Sequence, residues 1–155
     1  MRSVADWFGE YALSHADPTN KVLHWISVPL IVLAVMGFLW SVPVPSGFAD
    51  ISPWINWATL TVLVALIYYV TLSRRLAVGV AIAFGVQLAI LQALSELPWP
   101  LWATSLAIFI AAWIGQFTGH AIEGKRPSFF KDIQFLMIGP LWLVASLYRL
   151  FRIPY

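Results

Sequence analysis

The chain has 155 residues, 61% of them hydrophobic and only 10% charged, with a mean hydropathy of +0.82, far from the ~25% charged content of soluble domains. This is the composition of a membrane protein, and the absence of cysteine excludes disulfides, thiolate catalysis and any cysteine-ligated zinc or iron–sulfur centre. The net charge of +2 and pI near 9.2 come from a few loop residues in a mostly uncharged chain, so they bear on membrane orientation and not on nucleic acid.

A hydrocarbon core ~30 Å thick needs about 20 apolar residues per helix, and the long uncharged runs point to helices rather than a barrel. Val4, Trp7, Phe8, Tyr11 and Ala12 recur at helical spacing, with Asp6 and Glu10 on other faces. That pattern predicts a short amphipathic helix on the membrane surface, with Trp7 and Tyr11 at headgroup level. The acidic residues and histidines ahead of the first apolar run, and the lack of a basic start with a cleavage site, lead us to expect no removable signal peptide. Asp17 and Pro18 read as an N-cap followed by proline at the first helical position, so a new helix starts there. The break matters, because on one continuous helix His15 and His24 would point to opposite faces at ~100° per residue.

Spanning segments are expected at about 22–40, 54–72, 76–94 and 101–120. Proline-rich or tight loops lie at 41–53 and 95–100, and Arg74 and Arg75 end the second segment. The third segment carries Gly79, Gly85, Gln87 and Gln92, suited to close helix packing; Asn56, Gln87 and Gln92 are expected to bond between helices. A fifth apolar stretch, 133–148, contains Gly139 and Pro140 and either spans with a kink or enters and returns. The predicted fold class is all-α: a polytopic helical bundle of four to five transmembrane or re-entrant helices behind a short amphipathic one, forming a single domain over 1–155.

Short cytoplasmic loops carry Lys and Arg. Arg74 and Arg75 follow segment two, and Lys125, Arg126 and Lys131 follow segment four, while the other two loops have none. The N-terminus is therefore expected on the cytoplasmic side. His15, His24 and His120, the only histidines, then share one membrane face.

Asn20 precedes His24 by one helical turn, Gln116 precedes His120 by one turn, and Glu123 follows it by three residues. Tyr11 and His15 form a further pair four residues apart. Two helices would each offer an imidazole flanked by an amide or carboxylate, a donor set suited to ferrous iron or zinc, with neighbouring amides fixing the ring tautomers. Ionisable groups at membrane depth are costly and point to function. Glu123 is equally open to pairing with Lys125 or Arg126. Lys21, Lys125 and Arg126 serve orientation first and can also hold an acidic headgroup. No nucleophile elbow or phosphate loop occurs, which argues against covalent catalysis and nucleotide use.

The pieces Tyr11-x3-His15-x4-Asn20-x3-His24 with Pro29-Leu30, and Gln116-x2-Gly119-His120-x2-Glu123-x3-Pro127 with Gly139-Pro140-Leu141, resemble the membrane family of the yeast 2-hydroxy fatty acid dioxygenase of alpha-oxidation. The resemblance implies an iron(II) enzyme that uses O2 to shorten a long-chain 2-hydroxy fatty acid by one carbon, with His15, His24 and His120 as metal ligands. Tyr11, Asn20, Gln116 and Glu123 are candidates for further ligands or for groups behind them, and Lys21 or Arg126 for the substrate carboxylate, with the acyl tail between helices in the bilayer. The short loops, without a retention signal, look like those of a bacterial inner-membrane homologue. Two other readings stay open: a zinc-dependent lipid hydrolase, and a non-catalytic lipid-binding scaffold whose histidines serve as interface caps.

Overall fold

A computed structural model describes residues 2–126 and 134–155; Pro127, Lys131 and Ile133 lie outside them. Among the described residues the chain is all-helical: α1 (Val4–Ala12), α2 (Pro18–Ser41), α3 (Ser46–Ala49), α4 (Trp57–Leu72), α5 (Arg74–Ser95), α6 (Leu101–Glu123) and α7 (Gln134–Leu150). α2, α5 and α6 are long and apolar enough to cross a membrane, and α4 and α7 are apolar but shorter.

Local chemistry sets the boundaries. The Asp17 side chain accepts from the backbone N–H groups of Thr19 and Asn20, with Pro18 in the first turn, so the expected break between His15 and His24 is present. Ser73 ends α4 and caps α5 with its hydroxyl on the Leu76 N–H, which makes these two helices a tight hairpin. Gly124 takes a left-handed conformation, φ 71°, and stops α6 one residue after Glu123, where a side chain would be strained. The loop expected at 41–53 contains the short helix α3. The fifth segment is one continuous helix that accommodates Pro140.

Three polar residues divide differently from expectation. Gln87 does bond between helices, donating to the Pro29 carbonyl at 3.0 Å. Asn56 instead caps α4 through the Thr59 N–H, and Gln92 donates to Glu96 on its own turn, because each finds a partner within its own segment.

α2 makes its most extensive contact with α6. The reason is steric: a Cβ at Gly119 would meet Asn20, one at Gly115 would lie 2.7 Å from the Ser27 hydroxyl, and Gly37 of α2 faces Ser105 of α6. Small residues let the two backbones approach along their length. The pairs also run in opposite order along the two helices, so α2 and α6 are antiparallel, and the start of α2 meets the end of α6.

α1 is packed against α7. Trp7 and Tyr11 are 5% and 4% exposed and join Val28, Phe135, Ile138, Trp142 and Leu143 in one apolar cluster. The apolar face of α1 is thus covered by protein, with α7 supplying the partner for these two aromatics.

Candidate metal centre

His15 lies just past α1, His24 on the second turn of α2, and His120 on the last turn of α6, and each is at most 3% exposed. One nitrogen from each ring lies within 4.8 Å of the others. The rings meet edge to face, with centroids 4.1 Å apart for His15 and His24, 4.9 Å for His24 and His120, and 5.1 Å for His15 and His120. The start of an antiparallel α2 beside the end of α6 brings two of them together, and the Asp17 break folds the third back.

The His15 ring has a defined tautomer. Its Nδ1 lies 2.6 Å from the Tyr11 carbonyl, which can only accept, so Nδ1 carries the proton and Nε2 presents a lone pair to the cluster. Burial pushes the pKa of this imidazole down to about 4, against the opposing effect of that hydrogen bond; the ring is therefore neutral near pH 7. Tyr11 stacks on it at 4.0 Å with nearly parallel planes. Burial raises the Tyr11 hydroxyl well above its ordinary pKa, and its ring packs against the His15 imidazole.

His24 Nε2 faces His15 Nε2 at 2.7 Å and the Gln116 side-chain nitrogen also at 2.7 Å. His24 Nε2 carries either one proton or one lone pair, so it cannot satisfy both 2.7 Å neighbours at once, and a cation that takes this lone pair would displace the Gln116 amide from it. Both ring nitrogens of His120 and the carbonyl oxygen of Gln116 are buried without a hydrogen-bond partner among the described residues. Buried polar atoms rarely stay unpaired. Two nitrogens on one ion with bonds of ~2.1 Å lie roughly 3–3.5 Å apart, a value bracketed by the separations here. Three neutral imidazoles with a nearby amide oxygen and no thiolate fit iron or zinc.

The site encloses a cavity of about 50 Å³ lined by the three histidines, Gln116 and apolar residues of α2 and α7. That is several times the roughly 10–15 Å³ that one water needs, room for an ion with a small ligand.

The remaining candidates fall around the cluster. Glu123 accepts from the Ala16 N–H at 2.8 Å and from the Asn20 amide, which also donates to the Ser14 carbonyl. Asn20 and Glu123 thus clasp the loop that carries His15 to both helices, and Glu123 is engaged there rather than with Lys125 or Arg126. Lys125 donates to the Leu13 carbonyl on the same loop. Lys21 is half-buried and close enough for its charge to act on His15, whereas Arg126 is exposed. Removing the clasp with Glu123→Ala is expected to weaken metal affinity 10–100-fold while leaving the helix content intact. Glu123→Gln should recover part of the loss, because it keeps an acceptor for the Ala16 N–H. Metal titration with circular dichroism on both variants checks this, and equal affinity in all three proteins would refute it.

Sequence reasoning missed Gly115, whose spacing of four from Gly119 was a readable signal for close helix packing. It read the α7 segment and the Gly139-Pro140-Leu141 motif but not their place at the site: Phe135, Gly139 and Trp142 wall it through Tyr11 and His15, and no local pattern marks Phe135 or Trp142.

Fold and site together define a polytopic helical membrane protein whose buried histidines could bind a metal. The family model described as 2-hydroxy-palmitic acid dioxygenase Mpo1-like matches residues 1–151, and the chain belongs to this Mpo1-like family. Comparison with curated proteins gave no significant match, and comparison with solved structures gave none either.

Proposed function

We propose that this chain is an iron(II)-dependent dioxygenase that shortens long-chain 2-hydroxy fatty acids by one carbon, with His15, His24 and His120 holding the metal. The observation that carries the reading is the convergence of three buried imidazoles around a small cavity, in a chain of a family described as 2-hydroxy-palmitic acid dioxygenases. The single-domain reading goes with it, since histidines from both halves of the chain complete the one centre.

Bound iron(II) would supply the one-electron chemistry that lets dioxygen react with an otherwise inert 2-hydroxy carboxylate. The protein's part is positioning. Hydrogen bonding to the Tyr11 carbonyl holds His15 in the tautomer that offers Nε2, and the Gln116 amide beside His24 restrains that ring. Tyr11, Val28, Phe135 and Leu136 line the site and limit the access of water. Lys21, whose charge acts on His15, is the better placed of the two cations suggested for the substrate carboxylate. The reaction balances without a further reductant: the 2-hydroxy acid and dioxygen give the acid one carbon shorter, carbon dioxide and water.

The basic loops support an N-terminus and site on the cytoplasmic side of the membrane, the inner membrane if the host is a bacterium. The test is direct. Protein purified anaerobically and loaded with iron(II) is given 2-hydroxypalmitate and oxygen, and the odd-chain acid is sought by mass spectrometry. Product that depends on iron is the expected result. No product from fully loaded protein, or native protein carrying zinc alone, would sink the assignment.

A further inference from the structure

The histidine cavity, about 50 Å³ and partly open, does not hold a whole long alkyl chain, so the tail of a lipid substrate bound there continues beyond it, through the mouth or past a wall. One wall stands out. Val28 and Val32 of α2 line the histidine cavity and also line a second cavity of about 130 Å³ between α2, α5 and α7. On α7 the two cavities are bordered by successive residues, Gly139 for the first and Pro140 for the second. The partition is thin: Gly139 has no side chain, and Val28 Cγ1 lies 3.5 Å from where a Cβ would stand.

The chemistry of the second cavity suits hydrocarbon and little else. No charged residue lines it. The Gln87 amide nitrogen there is committed to the Pro29 carbonyl, and the Gln87 oxygen, an acceptor without a partner among the described residues, does not attract a carboxylate. Ala83 and Val80 of α5, Leu143 and Val144 of α7 and Val32 of α2 make up much of the rest. These positions lie well inside apolar helices, α2 and α5 among them long enough to span a membrane, so the groove opens towards acyl chains and not towards water.

We infer that the α2–α5–α7 groove holds the alkyl tail of the long-chain 2-hydroxy acid whose carboxylate end sits at the histidines, with Val28 and Val32 as the partition that the chain crosses. The inference rests on the dioxygenase reading and adds a route from the bilayer and a determinant of chain-length preference. Ala83 is exposed on the groove wall, so a larger side chain there fills the groove without displacing the core.

The test uses 2-hydroxypalmitate bearing a mid-chain diazirine, irradiated with the metal-loaded full-length protein in phosphatidylcholine nanodiscs. Label is expected on the peptides containing Val80–Gln87 and Leu143–Leu147, displaced by excess 2-hydroxypalmitate. Ala83→Trp should lower the preference for 2-hydroxypalmitate over 2-hydroxybutyrate, measured as a ratio of dissociation constants, by at least about tenfold. Label scattered over the bilayer-facing helices, label competed equally by added phosphatidylcholine, or an unchanged preference in Ala83→Trp would each overturn the inference. The two proposals can fail separately. Competed label in the groove without any odd-chain product removes the dioxygenase reading and leaves the tail site, whereas product formed with label elsewhere removes the tail site alone.

Discussion

Replacing His24 by alanine is expected to reduce the metal content of the purified protein from stoichiometric to background. His24 is the hub of the cluster, 2.7 Å from both the His15 ring and the Gln116 amide, and without it only two imidazoles, His15 and His120, remain to hold an ion. The loss should also appear in stability. A ligand that binds only the folded state at a hundred times its Kd stabilises by about 2.7 kcal/mol, so iron(II) added anaerobically should raise the melting temperature of the wild type and leave His24→Ala unmoved. Metal analysis and paired melts with and without iron measure both effects. If His24→Ala keeps its metal, the ligand assignment is wrong. If neither protein carries metal or responds to it, the histidines are caps in a scaffold.

Gly119→Val is expected to have the largest effect on the fold. A Cβ at Gly119 would run into the Asn20 side chain and stand 3.4 Å from the Asn20 backbone, and Asn20 is fully buried. A branched side chain leaves the helices no option but to separate. Overpacking of this kind costs typically 1–3 kcal/mol, and because the Asn20 side chain that must give way is buried and bonded to Ser14 and Glu123, the upper end is expected, a fall in melting temperature of roughly 5–10 °C. The same separation pulls His24 from His120, so metal affinity should fall with it. Gly85→Ala is the control, since nothing lies within 4 Å of a Cβ there; it should be neutral or slightly stabilising, because alanine is the better helix former. Thermal unfolding in detergent and metal titration compare the two, and a Gly119→Val protein that melts and binds like the wild type would show that close α2–α6 packing does not build the site.

Much of the site was legible one residue at a time. His15, His24, His120 and Gln116 were marked by rarity, by polar neighbours one turn away and by charge in short loops, and all four meet at one cavity. Glu123 was visible as a carboxylate beside His120, open to a role at the metal or to pairing with Lys125 or Arg126. Its choice of the Ala16 N–H and the Asn20 amide joins residues more than a hundred positions apart, and no local pattern carries that information. Trp7 and Tyr11 were legible as the apolar face of α1, but the surface that covers this face belongs to α7 at the other end of the chain.

By itself, then, the sequence determined the helices, most of their limits, the membrane class and the residues worth watching. Each of these follows from interactions within a few residues: an apolar run of spanning length, an Asp17 cap ahead of Pro18, and the charged or proline-rich stretches that close the runs. Only the tertiary structure decided which faces meet. Asn20, His24 and Ser27 on α2, and Gln116, His120 and Glu123 on α6, mark the polar face of each helix, but not the register in which the two faces meet. The register is set instead by steric contacts of the order of one side chain, Gly119 under Asn20 and Gly115 under Ser27. Those contacts turn three scattered histidines into one centre.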